Sequence, residues 1–196
     1  MSNLIFPSLT PDLKVSVIGS EADSLAKFLE LEPISLAESD VAIFAISAKN
    51  GPTATDLEDW QVARELYIPS LVVINQLQES EIDFDDMVAI CGRMLDPLIN
   101  PYLILHDDNG APTALIHLES LKLIDYSNGD RVVRESDGEH KVLVYEFRKE
   151  YLEAIEEFGE NSFQQALTFP ALPLVESNSI GKFEILELLN KLPSLR

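Results

Sequence analysis

Gly19 follows the expected strand Leu13–Ile18 and precedes a stretch of helical character. Strand, glycine, helix is the order in which a loop of the form G-x-x-x-x-G-K-[ST] holds a phosphate on its backbone N–H groups. Here Ser24 stands at the second glycine, Leu25 at the lysine that reaches the terminal phosphates, and Ala26 at the hydroxyl that would ligate magnesium. Glu21 and Asp23 bring two carboxylates to the place that would receive an anion, so the charge there opposes phosphate binding. Acidic residues in a first helical turn also suit the helix dipole, and the spacing predicts a helix over Ser20–Leu31 without a nucleotide site.

The other reactive residue types form no constellation. Glu79, Glu81, Asp83, Asp85 and Asp86 crowd one segment, but a calcium loop starting at Asp83 needs glycine at its sixth position and has Val88. The cluster is expected to be a carboxylate-rich helix start, with the helix running to about Leu95. His106, His117 and His140 have no second ligand at metal spacing, and no G-x-S-x-G occurs. Cys91 lies mid-helix among apolar residues, and Trp60 falls on an apolar helix face; both are expected to be packing.

The elements that position these residues begin with Val41–Ile46. Six apolar residues without polar alternation are the pattern of a strand buried on both faces of a parallel sheet. Lys49-Asn50-Gly51-Pro52 breaks it, Thr55 and Glu58 have capping-box spacing, and Leu57, Trp60, Ala63 and Tyr67 share a helical face. Pro69 closes that helix, and Leu71–Ile74 is a second buried strand that ends at Asn75 on the carboxyl edge of the sheet. Strand, helix and parallel strand make a βαβ unit. Pro33–Ala37 is expected to be a short strand.

From Pro97 the pattern changes to short strands at Tyr102–Leu105, Ala114–Leu118, Leu121–Tyr126, Arg131–Arg134 and Lys141–Phe147, separated by Asp-Asn-Gly, Asn-Gly and Asp-Gly turns. This predicts an antiparallel meander. An acidic amphipathic helix over Glu146–Phe158 and a short helix over Asn161–Leu167 follow, then a last apolar strand Ala171–Val175 and a final helix Phe183–Leu192.

Several of these segments, in this order, resemble the GTP-binding domain of translation GTPases, most closely elongation factor G. Asn75-Gln76-Leu77-Gln78 stands where that family has N-K-x-D, and Glu176-Ser177-Asn178 where it has G-S-A. Ala114–Tyr126 resembles the "G-x-x-D-L-I-x-x-K-A-x-x-Y" of the subdomain inserted in elongation factor G. Only Glu32–Ser39 occupies the space of the effector loop, an antiparallel strand pair and the D-x-x-G motif. The resemblance implies an α/β fold: a reduced, P-loop-GTPase-like doubly wound sheet formed by residues 1–96 and 170–196, with an α+β subdomain inserted over 97–169. It also implies that Gly19, Asn75 and Ser177 are vestiges of a nucleotide site. With D-x-x-G absent, no element remains to sense a γ-phosphate or position a water, so GTP hydrolysis, GTP and magnesium are not expected.

Composition bounds the partners. Of 196 residues, 34 are acidic and 14 basic, giving a formal net charge of −20, which repels phosphate backbones and disfavours direct nucleic-acid binding. A hydrophobic content of 46% supports a folded core. One cysteine, no apolar run of membrane-spanning length and no signal-peptide pattern in Ser2–Pro11 make a cytoplasmic, non-membrane location the expectation. The leading expectation is a degenerate GTPase-like domain that binds a protein partner. Because the inserted subdomain of elongation factor G faces the ribosomal stalk, the resemblance implies a stalk or other translation component as that partner. One rival is a GTP-binding, magnesium-dependent elongation-factor-like protein whose missing parts are supplied elsewhere. Another is a structural remnant within a larger assembly.

Overall fold

A computed structural model of the protein describes residues 5–159 and 161–192. Five parallel strands form one sheet in the order β1 (Val15–Ile18), β2 (Val41–Ser47), β3 (Ser70–Asn75), β9 (Phe169–Pro173), β4 (Leu98–Ile99). Every residue of β2 and β3 is buried, as continuous apolar runs require when helices cover both faces. Alternation along β2 sorts its side chains between two cores. Ala42, Phe44 and Ile46 pack with Trp60 of α2 (Ala54–Glu65) and with Met87 and Cys91 of α3 (Phe84–Met94). Val41, Ile43 and Ala45 pack with Leu25 and Leu29 of α1 (Ala22–Leu29) and with Ile185 and Leu189 of α6 (Lys182–Leu189). This is an α/β fold with helices on both faces of a parallel sheet.

A second sheet is antiparallel, in the order β5 (Tyr102–His106), β6 (Pro112–His117), β7 (Lys122–Asp125), β8 (Val132–Glu135). The short strand β4 precedes it in the chain yet pairs with β9, so residues 98–99 belong to the parallel sheet rather than to the segment expected to start at 97.

Several local expectations are corrected. The capping box of α2 sits two residues earlier, with Thr53 as N-cap and Asp56 reciprocating, since the Asp56 carboxylate accepts from the Thr53 N–H at 2.7 Å. Tyr67 is off the packed face, 79% exposed and in a left-handed conformation (φ 56°), because α2 has already ended and Ile68 supplies the buried contact. Pro33–Ala37 forms no strand; the chain makes a 3-10 turn at Leu36–Glu38 instead, and Ser16 Oγ donates to the Ile34 carbonyl at 3.0 Å. Lys141–Phe147 is helical, divided between α4 (Gly138–Leu143) and α5 (Tyr145–Phe158). There Asp137 acts as an N-cap, accepting from the His140 N–H at 2.9 Å, so the Asp-Gly pair opens a helix rather than a hairpin. Asn161–Leu167 is a run of turns rather than a helix, with Ala166 left-handed at φ 53°.

Candidate functional site

The carboxyl edge of a parallel sheet is where loops converge on a ligand in folds of this class, and the loops after β1, β3 and β9 meet there. Gly19 leaves β1 at φ +112°, and a Cβ on it would lie 2.4 Å from the Ala45 carbonyl oxygen of β2. Close passage past β2 therefore requires this glycine whether or not an anion is ever bound. The loop is short: the Ala22 N–H donates to the Gly19 carbonyl at 3.1 Å, and α1 begins at Ala22. With α1 beginning at Ala22, Leu25 turns wholly into the core beside Val15, Leu29 and Ile43. The residue at the lysine position thus faces the sheet, and only Glu21 and Ser24 of this loop and helix line the adjacent cleft.

After β3 the chain reverses through Gln76 in a left-handed conformation (φ 55°) and a 3-10 turn at Leu77–Glu79. Ser47 Oγ, at the end of β2, donates to the Gln76 carboxamide oxygen, and the N–H groups of Lys49 and Asn50 donate to Ser47 Oγ at 3.2 and 3.3 Å. Asn75 is 1% exposed, and its side-chain oxygen has no hydrogen-bond partner among the described residues. Ser177 Oγ donates to the Gln78 carboxamide oxygen at 3.1 Å. Two residues at guanine-motif positions are therefore bonded to each other. Asn178 turns away toward the antiparallel sheet, its amide donating to the Pro112 carbonyl at 3.0 Å.

The cleft these loops leave has a volume of about 190 Å³, below the roughly 300–1,000 Å³ of typical small-molecule sites. Glu21, Glu79 and Glu176 contribute three carboxylates to its lining, and among the described residues no lysine or arginine lines it. Lys49 lies 3.7 Å from Glu79 with both side chains well exposed, a contact worth little in solvent. Ser177 lines the cleft, whereas Gly19 and Asn75 stand at the same sheet edge without lining it. Three carboxylates in an opening of this size put negative charge where a triphosphate would sit. The other reactive residues behave as structure. Burial pushes the Cys91 thiol up to about 11, Trp60 Nε1 donates to Asp96 at 2.8 Å, and His117 Nδ1 lies 2.8 Å from Ser120 Oγ. Among the described residues, no group of three or more His, Cys, Asp or Glu is placed to hold a metal ion.

Two polar anchors beside the loop after β9 escaped sequence reasoning. Lys182 is one-tenth exposed; its Nζ donates to the Phe28 carbonyl at 2.7 Å, approaches Glu30 at 3.3 Å and lies over the Phe28 ring. It binds the C-terminal end of α1, where a cation complements the helix dipole. Glu184 has a wholly buried carboxylate that accepts from Tyr126 Oη at 2.8 Å and from Arg131 Nε at 3.0 Å. Burial first, then the neighbouring Glu184 charge, drive the Tyr126 hydroxyl far above its ordinary pKa, so it stays a donor. Only helical periodicity could have flagged Glu184, as a charged residue on the inward side of α6 next to Ile185.

No family model matches the chain. It is 24% identical over 203 aligned residues to two proteins called "Elongation factor G-like protein", from Mycobacterium tuberculosis strains CDC 1551 / Oshkosh and ATCC 25618 / H37Rv. Each alignment covers 90% of this chain and 27% of the relative, so the chain spans about a quarter of their length. A crystal structure of a Thermus thermophilus protein superposes with a TM-score of 0.71 at 27% identity, over 81% of this chain and 27% of that one.

Proposed function

Taking the chain as elongation factor G-like in sequence and fold, we propose that it is a degenerate GTP-binding domain that neither binds nor hydrolyses GTP and acts as a protein-interaction module linked to translation. The observation that carries this reading is the burial of Leu25. The position that would give a lysine to the phosphates lies inside the hydrophobic core, and the remaining 190 Å³ cleft is lined by three glutamates. A partner with a basic protein surface fits the net charge of −20 better than nucleic acid does, and the ribosomal stalk or another translation component is the partner to test first.

Titrating GTP, GDP and ATP into the protein with and without magnesium tests the reading directly. The expected outcome is no heat of binding and no rise in melting temperature at high micromolar nucleotide. A ligand present at about a thousand times its Kd would add about 4 kcal/mol of stability, an effect that could not be missed. Selective, tight binding of GTP or GDP would overturn the proposal. One observation favours that second reading, a divergent GTP site: the unpartnered, buried side-chain oxygen of Asn75, a group that normally has a partner when desolvated.

A further inference from the structure

A larger groove lies where α3 and β4 of the parallel-sheet layer meet α5. Its volume is about 410 Å³, within the range of small-molecule sites. The walls are mostly apolar: Val88 from α3, Leu98 and Ile99 from β4, Leu118 after β6, and Ala154 from α5. Two carboxylates, Asp85 at the start of α3 and Glu150 of α5, face this apolar lining, and among the described residues no lysine or arginine lines it. Two aromatic rings complete it. Phe147 is 42% exposed at the surface end, and Tyr151 lies one helical turn further along α5.

We propose that this groove binds a small organic ammonium ion carried on an apolar body, with the ammonium between Asp85, Glu150 and the Phe147 and Tyr151 rings. Carboxylates and aromatic faces attract a cation by charge and by ring quadrupole, and together they discriminate an ammonium from a neutral molecule of the same shape. The site is also prepared at one end. Asn100 Nδ2 donates to Asp85 Oδ1 at 2.8 Å while Asn100 Oδ1 accepts from the Tyr102 N–H at 3.2 Å, which fixes the carboxylate against β4. Desolvation raises the Asp85 pKa to about 6, with Asp83 and Asp86 adding to it and the Asn100 bond working against it, as befits a carboxylate set into an apolar wall. Burial likewise lifts the Tyr151 hydroxyl to about 12, so the ring stays neutral. The groove shares no lining residue with the acidic cleft after β3, so ammonium binding stands or falls independently of the function proposed above.

The test uses phenethylamine as probe, 2-phenylethanol as its neutral counterpart, and amide chemical shifts of the whole chain as readout. The expected result is saturable binding of phenethylamine that moves the amides of Val88, Ile99, Asn100 and Tyr151, with 2-phenylethanol weaker by about tenfold or more. Asp85→Asn, which retains the oxygen facing Asn100, and Ala154→Leu, which fills the groove without changing charge, should each weaken binding by at least about tenfold. Equal binding of the alcohol, shifts confined to α5 residues outside the groove, unchanged affinity in both variants, or absence of saturation would each overturn the proposal.

Discussion

At the scale of single residues, glycine carries the sharpest constraint. Gly181 sits at φ +91°, and a Cβ there would come within 1.8 Å of the Pro173 carbonyl oxygen, closer than any relaxation of side chains can relieve. Gly181→Ala is expected to destabilise the fold by about 3 kcal/mol or more. Gly51→Ala should cost only about 1 kcal/mol, since Gly51 has φ +69° but nothing within 4 Å of its missing Cβ. Urea denaturation of both variants separates steric clash from conformational strain; equal losses would disprove the assignment. Asp85 makes a second prediction. Its folded pKa of about 6 lies above the ordinary carboxylate value of 3.8, so the folded state holds the proton more tightly. The stability this gives is complete below about pH 4 and is lost as the pH rises through about 6. Asp85→Asn should remove that slope and gain roughly 1 kcal/mol at pH 7, a figure reduced from the full shift because the group is partly solvated. A stability profile between pH 4 and 7 that is unchanged by the substitution would refute it. Gly19 was legible from its place after a strand, but nothing in the local pattern marked Gly181 as obligatory or Asp85 as desolvated. Gly181 is constrained by the end of β9 just before it in the chain, and Asp85 is desolvated by packing, and neither contact shows in the local residue pattern.

At the scale of elements, a buried carboxylate takes part in the joint between the antiparallel sheet and the parallel-sheet layer, alongside the packing of Leu115, Ile124 and Tyr126 on Val175 and Ile180. Glu184 of α6 holds Tyr126, just after β7, and Arg131, just before β8, and the Arg131 guanidinium lies 3.8 Å from the Phe183 ring centroid. Removing one member of a buried pair leaves the other charge uncompensated, so Glu184→Ala should cost about 3–5 kcal/mol. Tyr126→Phe, which leaves the ion pair intact, should cost about 1–2 kcal/mol. Hydrogen exchange should show the loss concentrated in β7 and β8 and spare β2 and β3. Uniform loss across both sheets would mean that Glu184 supports the core and not the joint. Elements were legible where one physical signal dominated. The continuous apolar runs of β2 and β3 could be buried only on both faces, and the periodicity of α1, α3 and α5 pointed to helices. Where two signals competed, the sequence misled. Lys141–Phe147 carries the β-branched and aromatic run Val142-Leu143-Val144-Tyr145 that suits a strand, yet Asp137 caps a helix at its start, and Val142 and Leu143 are left 78% and 64% exposed. The site divided in the same way. The replaced lysine and aspartate positions could be read directly, whereas the burial of Leu25 could not, because it depends on how α1 packs against β1 and β2.

At the scale of the whole molecule, charge governs. A chain with 34 acidic and 14 basic residues and a formal net charge of −20 repels itself most strongly when compact, since folding brings the carboxylates within a Debye length of one another. Salt relieves this repulsion more in the folded than in the unfolded state, so the melting temperature is expected to rise by several degrees as sodium chloride increases from low to physiological ionic strength. The same experiment addresses the acidic cleft after β3. Magnesium chloride at matched ionic strength should stabilise little beyond what sodium chloride does, because Glu21, Glu79 and Glu176 line an open cleft and no cluster among the described residues is arranged to ligate a cation. A saturable magnesium effect at sub-millimolar concentration, enhanced by GTP, would instead mean that the cleft still assembles a metal–nucleotide site. Association with the basic protein partner proposed above should weaken steeply with salt while the fold itself grows more stable. Opposite salt dependences of binding and of folding, measured on one preparation, are the outcome this charge distribution requires.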